Sequence, residues 1–306
     1  MQRCALVVAL ACGMCGGLTG CVEFNDCAED PGARLASAAV DLDLRESIVR
    51  TQEAPIGNVV ADGLFAVADA LCQETGLPCP DLALQNAGGL RQETACGTRD
   101  ALEAGAIYEQ DVLDLMPFEN DLVVIGLTGA DVKLALERAV SSLGQVGEAG
   151  AAGYFLQVSG IELEVDCSQA AQVLSGDQTA VQTVGARVDP ARIFVTSRGR
   201  RDALDLAREY QVVTNSFIGS GKDGFLSFFF RDEQGRVIED GDGPVKRLDP
   251  ASDVATEPSG KVVKDRRAVM DWLRAHEQAG LPVGRPPEGR IRVLDTCYQG
   301  VLAPGG

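Results

Sequence analysis

Leu82-Ala83-Leu84-Gln85-Asn86-Ala87-Gly88-Gly89-Leu90-Arg91 runs from an apolar stretch into a paired-glycine turn that ends on an arginine. This is the pattern of a strand that stops at a turn, where glycine lets backbone amides and the nearby arginine come close to a ligand. Downstream, Met116-Pro117-Phe118-Glu119-Asn120 leads into a second apolar run, Leu122-Val123-Val124-Ile125. Thr128-Gly129-Ala130-Asp131 then reads as a helix start, with Thr128 and Asp131 spaced to cap it. The proline sets a loop that presents the Phe118 ring, and the strand and helix behind hold it still. Such a stretch describes a site for something flat and something anionic, a combination that a nucleotide meets.

Working outward, Pro55-Ile56-Gly57-Asn58 opens a helix whose Val60, Leu64, Val67, Ala68 and Leu71 share one face. Val132, Ala135, Leu136, Ala139, Val140 and Leu143 mark a second amphipathic helix, and a last helix is expected over residues 265–278. Strands are expected at 39–48, 81–85, 161–165, 192–196, 210–214, 225–230 and 290–294, with a glycine-rich loop at 215–224. Residues 231–262 are polar and rich in Gly and Pro, which reads as a surface insertion or hairpin. No linker splits residues 35–300. One α+β domain of mixed sheets packed with helices is the economical prediction.

With 27 Lys+Arg against 45 Asp+Glu, the net charge of −18 repels long polyanions and argues against DNA or RNA as a partner. Residues 1–20 read as a leader: Arg3 supplies a positive end, and the apolar segment from Cys4 to Met14 is too short to span a bilayer. No later apolar run reads as a membrane span. Leu18-Thr19-Gly20-Cys21 resembles the lipobox of bacterial lipoproteins, in which the chain is cut before a cysteine that takes lipid. The alternative is a plain secretory signal with a chance cysteine. The expectation is a protein exported and held on a bacterial membrane, facing periplasm or cell surface, through lipidated Cys21, with residues 21–34 as tether. Cys27, Cys72, Cys79, Cys96, Cys167 and Cys297 then remain for disulfides, with Cys72–Cys79 and Cys27–Cys297 as the candidate pairs.

Several motifs taken together resemble the C-terminal domain of the 5'-nucleotidase and UDP-sugar hydrolase family. They are Arg50 with Gly57-Asn58, the Asn86 to Arg91 turn, and Pro117-Phe118-Glu119-Asn120. Two more are Gly153-Tyr154-Phe155-Leu156-Gln157-Val158-Ser159-Gly160 and Thr214-Asn215-Ser216-Phe217-Ile218-Gly219-Ser220-Gly221-Lys222-Asp223-Gly224. The resemblance runs in family order over about residues 38–295, and ordered motifs are more specific than any one alone. It implies that Phe118 and Phe217 sandwich a base, that Asp223 accepts from ribose hydroxyls, and that Arg50 and Arg91 face the phosphate. It also implies that Asn86 and Asn120 lie near base and sugar. Five of these residues have a plainer reading: core phenylalanines for Phe118 and Phe217, a surface ion pair for Arg91, and turn residues for Asp223 and Asn86. Two positions depart from the family, Glu119 and Lys222, where glycine is common.

Full-length members of that family add a metallophosphoesterase domain that binds two metal ions through several histidines and aspartates. Here there is one histidine, His276, read as a packed or solvated side chain on the last helix. No two-metal cluster or zinc-type cysteine pair stands out, and Gly219-Ser220-Gly221-Lys222-Asp223 fails the phosphate-loop pattern at both ends. The expectation is a recognition domain for a nucleotide, nucleoside or nucleotide sugar, without a cofactor of its own and not catalytic alone. Two alternatives stand beside it: the binding subunit of a two-chain phosphohydrolase whose metals sit on a separate metallophosphoesterase chain, or a structural lipoprotein that binds nothing.

Overall fold

A computed structural model describes residues 30–94, 97–144, 150–241 and 243–297. The leader, Cys21, Cys27 and Cys96 lie outside the described residues. In chain order the elements that matter are β1 (Arg34–Ala38), α1 (Pro55–Thr75), β2 (Leu82–Asn86), β3 (Gly105–Tyr108) and α2 (Glu109–Leu115). After them come β4 (Leu122–Thr128), α3 (Gly129–Ala139), β5 (Leu156–Ser159), β6 (Ile161–Val165) and β7 (Ile193–Val195). The series ends with β8 (Glu209–Asn215), α4 (Asp265–Gln278) and β9 (Ile291–Val293). An α+β fold results, with mixed sheets packed against helices.

The central sheet has the order β4-β8-β2-β5, with β8 antiparallel to β4 and parallel to β2, and β2 antiparallel to β5. Every residue of β2 is buried, which is why its first three residues, Leu82-Ala83-Leu84, are apolar without alternation, while the buried Gln85 and Asn86 face hydrogen-bond partners at its end. Register decides where the loops go. Asn215 at the end of β8 pairs with Leu122 at the start of β4, and Asn86 at the end of β2 pairs with Leu156 at the start of β5. The segments after β2 and β8 and before β4 and β5 therefore emerge at the same end of the sheet.

Helix α1 starts on Pro55, whose fixed φ suits the first helical position, and stops at Gly76 in the left-handed conformation (φ 76°). By length and composition it could cross a membrane, a property the sequence reading gave to no segment. In the fold it is a core helix, with Ile56, Val60, Leu64 and Ala68 buried and the helix packed on β2, β5 and α4. Helix α3 carries the reciprocal cap expected of Thr128 and Asp131, with Asp131 N–H donating to Thr128 Oγ1 at 3.2 Å. A second sheet joins Asp202–Ala203, β7, β6 and β9, and β1 pairs with β3.

Three sequence expectations need correction. Residues 39–48 are not one strand: Asp43 Oδ1 accepts from Arg45 N–H (2.9 Å), a local turn that ends the short strand Leu42–Asp43 before the helical turn Glu46–Val49. The run 225–230 contains a 3-10 turn at Leu226–Phe228, with Phe225 and Phe228 buried edge to face; an apolar run this short does not by itself separate strand from helix. Cys72 does pair with Cys79, but Cys297 pairs with Cys167 rather than Cys27. The reason is register: β6 and β9 run parallel with Val165 beside Val293, which leaves Cys167 and Cys297 just past the ends of neighbouring strands. Within 231–262 a small hairpin, Glu239–Asp240 with Gly243–Pro244, projects outward. The chain then returns to cover the free edge of β4 through Ala255 N–H to Leu122 O and Val124 N–H to Asp253 O, both 2.8 Å.

Candidate functional site

At the shared end of the central sheet lies a cavity of about 350 Å³, within the range of small-molecule sites. Arg50, Asn86, Arg91, Phe118, Asn120, Phe217 and Asp223 all line it, joined by Gly88, Gly89 and Gly153. The sequence-predicted set is thus brought together from segments far apart in the chain.

The floor is the Asn86–Arg91 turn. Gly88 N–H donates to Gly153 O at 2.6 Å, and a Cβ on Gly88 would sit 3.0 Å from that oxygen, so a larger residue would have to push the Gly153 backbone away. Asn86 is buried, and its Oδ1 accepts from Asn215 Nδ2 (3.0 Å) and Gln85 Nε2 (3.3 Å), which fixes the amide's orientation. Arg91 is anchored by its own N–H to Leu115 O (2.9 Å), and its guanidinium lies 5.1 Å from the Phe118 ring centre.

Two phenylalanines form the rim. Phe118 is 45% exposed although its neighbours Met116 and Leu122 are buried, and Phe217 is 40% exposed on the four-residue helix Ser216–Gly219. Asn215 Oδ1 caps that helix by accepting from Ile218 N–H (3.1 Å). The two aromatic loops are stapled: Asp121 N–H donates to Ser216 Oγ (3.0 Å) and Ser216 N–H donates to Asp121 O (2.8 Å). Lys264 Nζ pairs with Asp121 at 2.5 Å from the side of α4. Asn120 is held similarly, with Nδ2 donating to Asp265 Oδ2 (3.2 Å) and its carbonyl accepting from Asp265 N–H (2.9 Å).

Arg50 follows the helical turn Glu46–Val49 and pairs with Glu46. Its segment is positioned by Gln157 on β5, which is fully buried. Gln157 Nε2 donates to Val49 O and Gln52 O (both 2.8 Å), and its Oε1 accepts from Ala54 N–H (3.1 Å). Arg50 Nε is buried without a hydrogen-bond partner among the described residues, an unmet donor at the cavity wall. Asp223 stands opposite in charge. It takes a left-handed conformation (φ 60°), and burial raises its carboxyl pKa while the charges of Arg138 and Arg91 oppose that rise.

The cavity therefore offers aromatic faces, guanidinium groups and one carboxylate, which suits a flat group, an anion and a hydrogen-bond donor. Glu119, whose charge beside Phe118 would disfavour an anion, is paired with Arg266, and Lys222 is not among the lining residues. The donor set does not suit a metal: no group of three or more His, Cys, Asp or Glu among the described residues could hold one. His276 sits elsewhere, on α4, with Nδ1 3.1 Å from Trp272 O. Sequence reasoning missed Gln157 and Arg138 as supports of the site. Gln157 stood inside a quoted motif, where a polar residue in an apolar strand was the available signal; Arg138 gave none, because its partner Asp223 is 85 residues away.

The sequence model of the family described as "5'-nucleotidase, C-terminal domain" matches residues 34–229. A trifunctional nucleotide phosphoesterase protein of Bacillus subtilis (strain 168) is 31% identical over 207 residues, covering 67% of this chain and 12% of that protein. A probable 5'-nucleotidase of Treponema pallidum (strain Nichols) is 27% identical over 267 residues, covering 83% of this chain and 36% of that one. Among solved structures, a 5'-nucleotidase precursor from Thermus thermophilus superimposes with a TM-score of 0.58 at 30% identity, over 86% of this chain and 39% of that one. The chain spans well under half the length of each of these relatives.

Proposed function

Because the chain belongs to the 5'-nucleotidase C-terminal-domain family, we propose that its cavity recognises a nucleoside, nucleotide or nucleotide sugar. The base lies between Phe118 and Phe217, the ribose hydroxyls donate to Asp223, the phosphate turns toward Arg50 and Arg91, and Asn86 and Asn120 border base and sugar. The observation that carries this reading is convergence: side chains from separate loops meet at one end of one sheet around a single cavity. Stacking on an aromatic face contributes roughly 1–3 kcal/mol per base and tolerates base identity, while a guanidinium fork matches phosphate oxygens. Among the described residues no donor group would hold the family's two metal ions, which supports recognition rather than cleavage as the task of this domain.

A binding panel of adenosine, AMP and UDP-glucose on the purified protein tests this. Submillimolar binding of at least one, lost in Phe217→Ala, is expected; no binding of any would leave the structural-lipoprotein reading. The second reading is a binding subunit for a separate metallophosphoesterase chain. It requires that the isolated protein release no phosphate with added Mn²⁺, Zn²⁺ or Co²⁺ and gain activity when such a chain is supplied. The lipobox-like Leu18-Thr19-Gly20-Cys21 supports lipid anchoring at a bacterial membrane. Cys21→Ser should move the protein from the membrane fraction to the soluble one, and unchanged fractionation would refute the anchor.

A further inference from the structure

The Asp223 turn raises a question the ligand contacts do not answer. Gly221 (φ 80°), Asp223 (φ 60°) and Gly224 (φ 76°) all adopt the left-handed conformation, and a non-glycine residue stays there only when its surroundings hold it. What holds it is on α3. Arg138 Nε donates to Asp223 O at 2.8 Å, and the same nitrogen would stand 2.9 Å from a Cβ on Gly224, so the guanidinium is packed directly against the turn. The guanidinium carbon lies over the Tyr154 ring, 3.6 Å from its centre, and Tyr154 follows the cavity-lining Gly153.

We propose that Arg138 is a positioning residue for recognition of a vicinal diol: from behind the cavity wall it sets the Asp223 turn and supplies the charge that keeps the Asp223 carboxylate an acceptor. The proposal rests on the nucleoside reading above. Two neighbouring hydroxyls present two donors, and an ionised carboxylate is acceptor-only with two oxygens, so the match is lost once the carboxyl takes a proton or turns away. Burial favours the protonated form of Asp223, and Arg138 and Arg91 oppose it. Arg91 is committed to the Phe118 side, where it lies by the ring. Among the described residues, Arg138 is the one that combines a hydrogen bond to the turn with a charge beside the carboxylate. It does not line the cavity, so it acts through Asp223.

The test is a double-mutant cycle on the full protein, read with adenosine and 2',3'-dideoxyadenosine, using Arg138→Met, Asp223→Asn and the pair. Arg138→Met should weaken adenosine about tenfold, the range of one charge-assisted hydrogen bond, and leave dideoxyadenosine within about twofold. In the Asp223→Asn background the same change should add nothing. Should Arg138→Met melt early, Arg138→Lys runs the same cycle, because it keeps the charge and loses the planar stack; a smaller loss confined to adenosine is expected. Equal weakening of both ligands, or additivity with Asp223→Asn, would overturn the proposal and leave Arg138 a structural residue. Wild-type protein that binds neither ligand would overturn the nucleoside reading and this inference together; equal affinity for both would overturn the Asp223 role and this inference with it, and leave base recognition standing.

Discussion

Asp265 opens α4 beneath Asn120 and is 2% exposed. Burial pushes its carboxyl from 3.8 up to about 6; the hydrogen bonds from Arg266 N–H (2.7 Å) and Asn120, with the charges of Arg266 and Lys264, pull it back only in part. The folded value lies above the unfolded one, so the native state favours the protonated form. The group's contribution is therefore full below about pH 4 and lost as pH rises through about 6. A displacement of that size corresponds to roughly 3 kcal/mol at neutral pH. Asp265→Asn keeps the shape and one acceptor oxygen, enough for Arg266 N–H or Asn120 Nδ2 but not both, and it cannot ionise; the lost hydrogen bond costs the same at every pH. Its stability relative to wild type should rise by roughly 3 kcal/mol between pH 4 and pH 8. Urea unfolding at several pH values reads this directly, provided the slope m is unchanged. Asp166, Asp177 and Asp232 are held low by side-chain and backbone hydrogen bonds and tilt stability the other way, but equally in both proteins. Identical pH responses of variant and wild type would refute the assignment of this dependence to Asp265.

Phe118→Ala and Phe217→Ala should each weaken nucleoside binding by roughly 1–3 kcal/mol. Because each ring is about half exposed, stability should fall by only about half of the 1.5–3 kcal/mol typical of full burial, a contrast that calorimetric titration and thermal melts separate. Arg91→Lys should weaken AMP more than adenosine, because an ammonium cannot reproduce the planar fork; equal losses would place Arg91 away from the phosphate. Replacing Cys167 and Cys297 together by Ser should destabilise by up to about 5 kcal/mol, against about 2.5 for Cys72 and Cys79, since the loops closed are 130 and 7 residues apart. Urea midpoints in which the two pairs cost the same would contradict that order.

The cavity residues other than Arg50 were legible because each sits in a short local pattern, a glycine turn or a proline-set loop, and because the patterns occur in a recognised order, which alone singled out Arg50. The ends of α1 and α3 were legible for a related reason: Pro55 and the Thr128–Asp131 cap are local chemistry. What could not be read depends on contacts distant in sequence. Glu137 looks like a helix-surface residue, yet it is fully buried, paired with Lys133 and accepting from the backbone N–H groups of Arg187 and Val188. The pairing of Cys297 follows from the register of β6 against β9, which no local pattern encodes. The 226–228 turn was read as a strand because a short apolar run carries no period of its own. The staple between Asp121 and Ser216, which brings the two aromatic loops together, likewise exists only once β4 and β8 are side by side.

Co-crystallisation with AMP tests the site most directly. The base should lie between Phe118 and Phe217, with the ribose hydroxyls at Asp223 and the phosphate toward Arg50 and Arg91. AMP seated elsewhere on the protein, or a cavity left empty at millimolar ligand, would contradict nucleotide recognition by this domain.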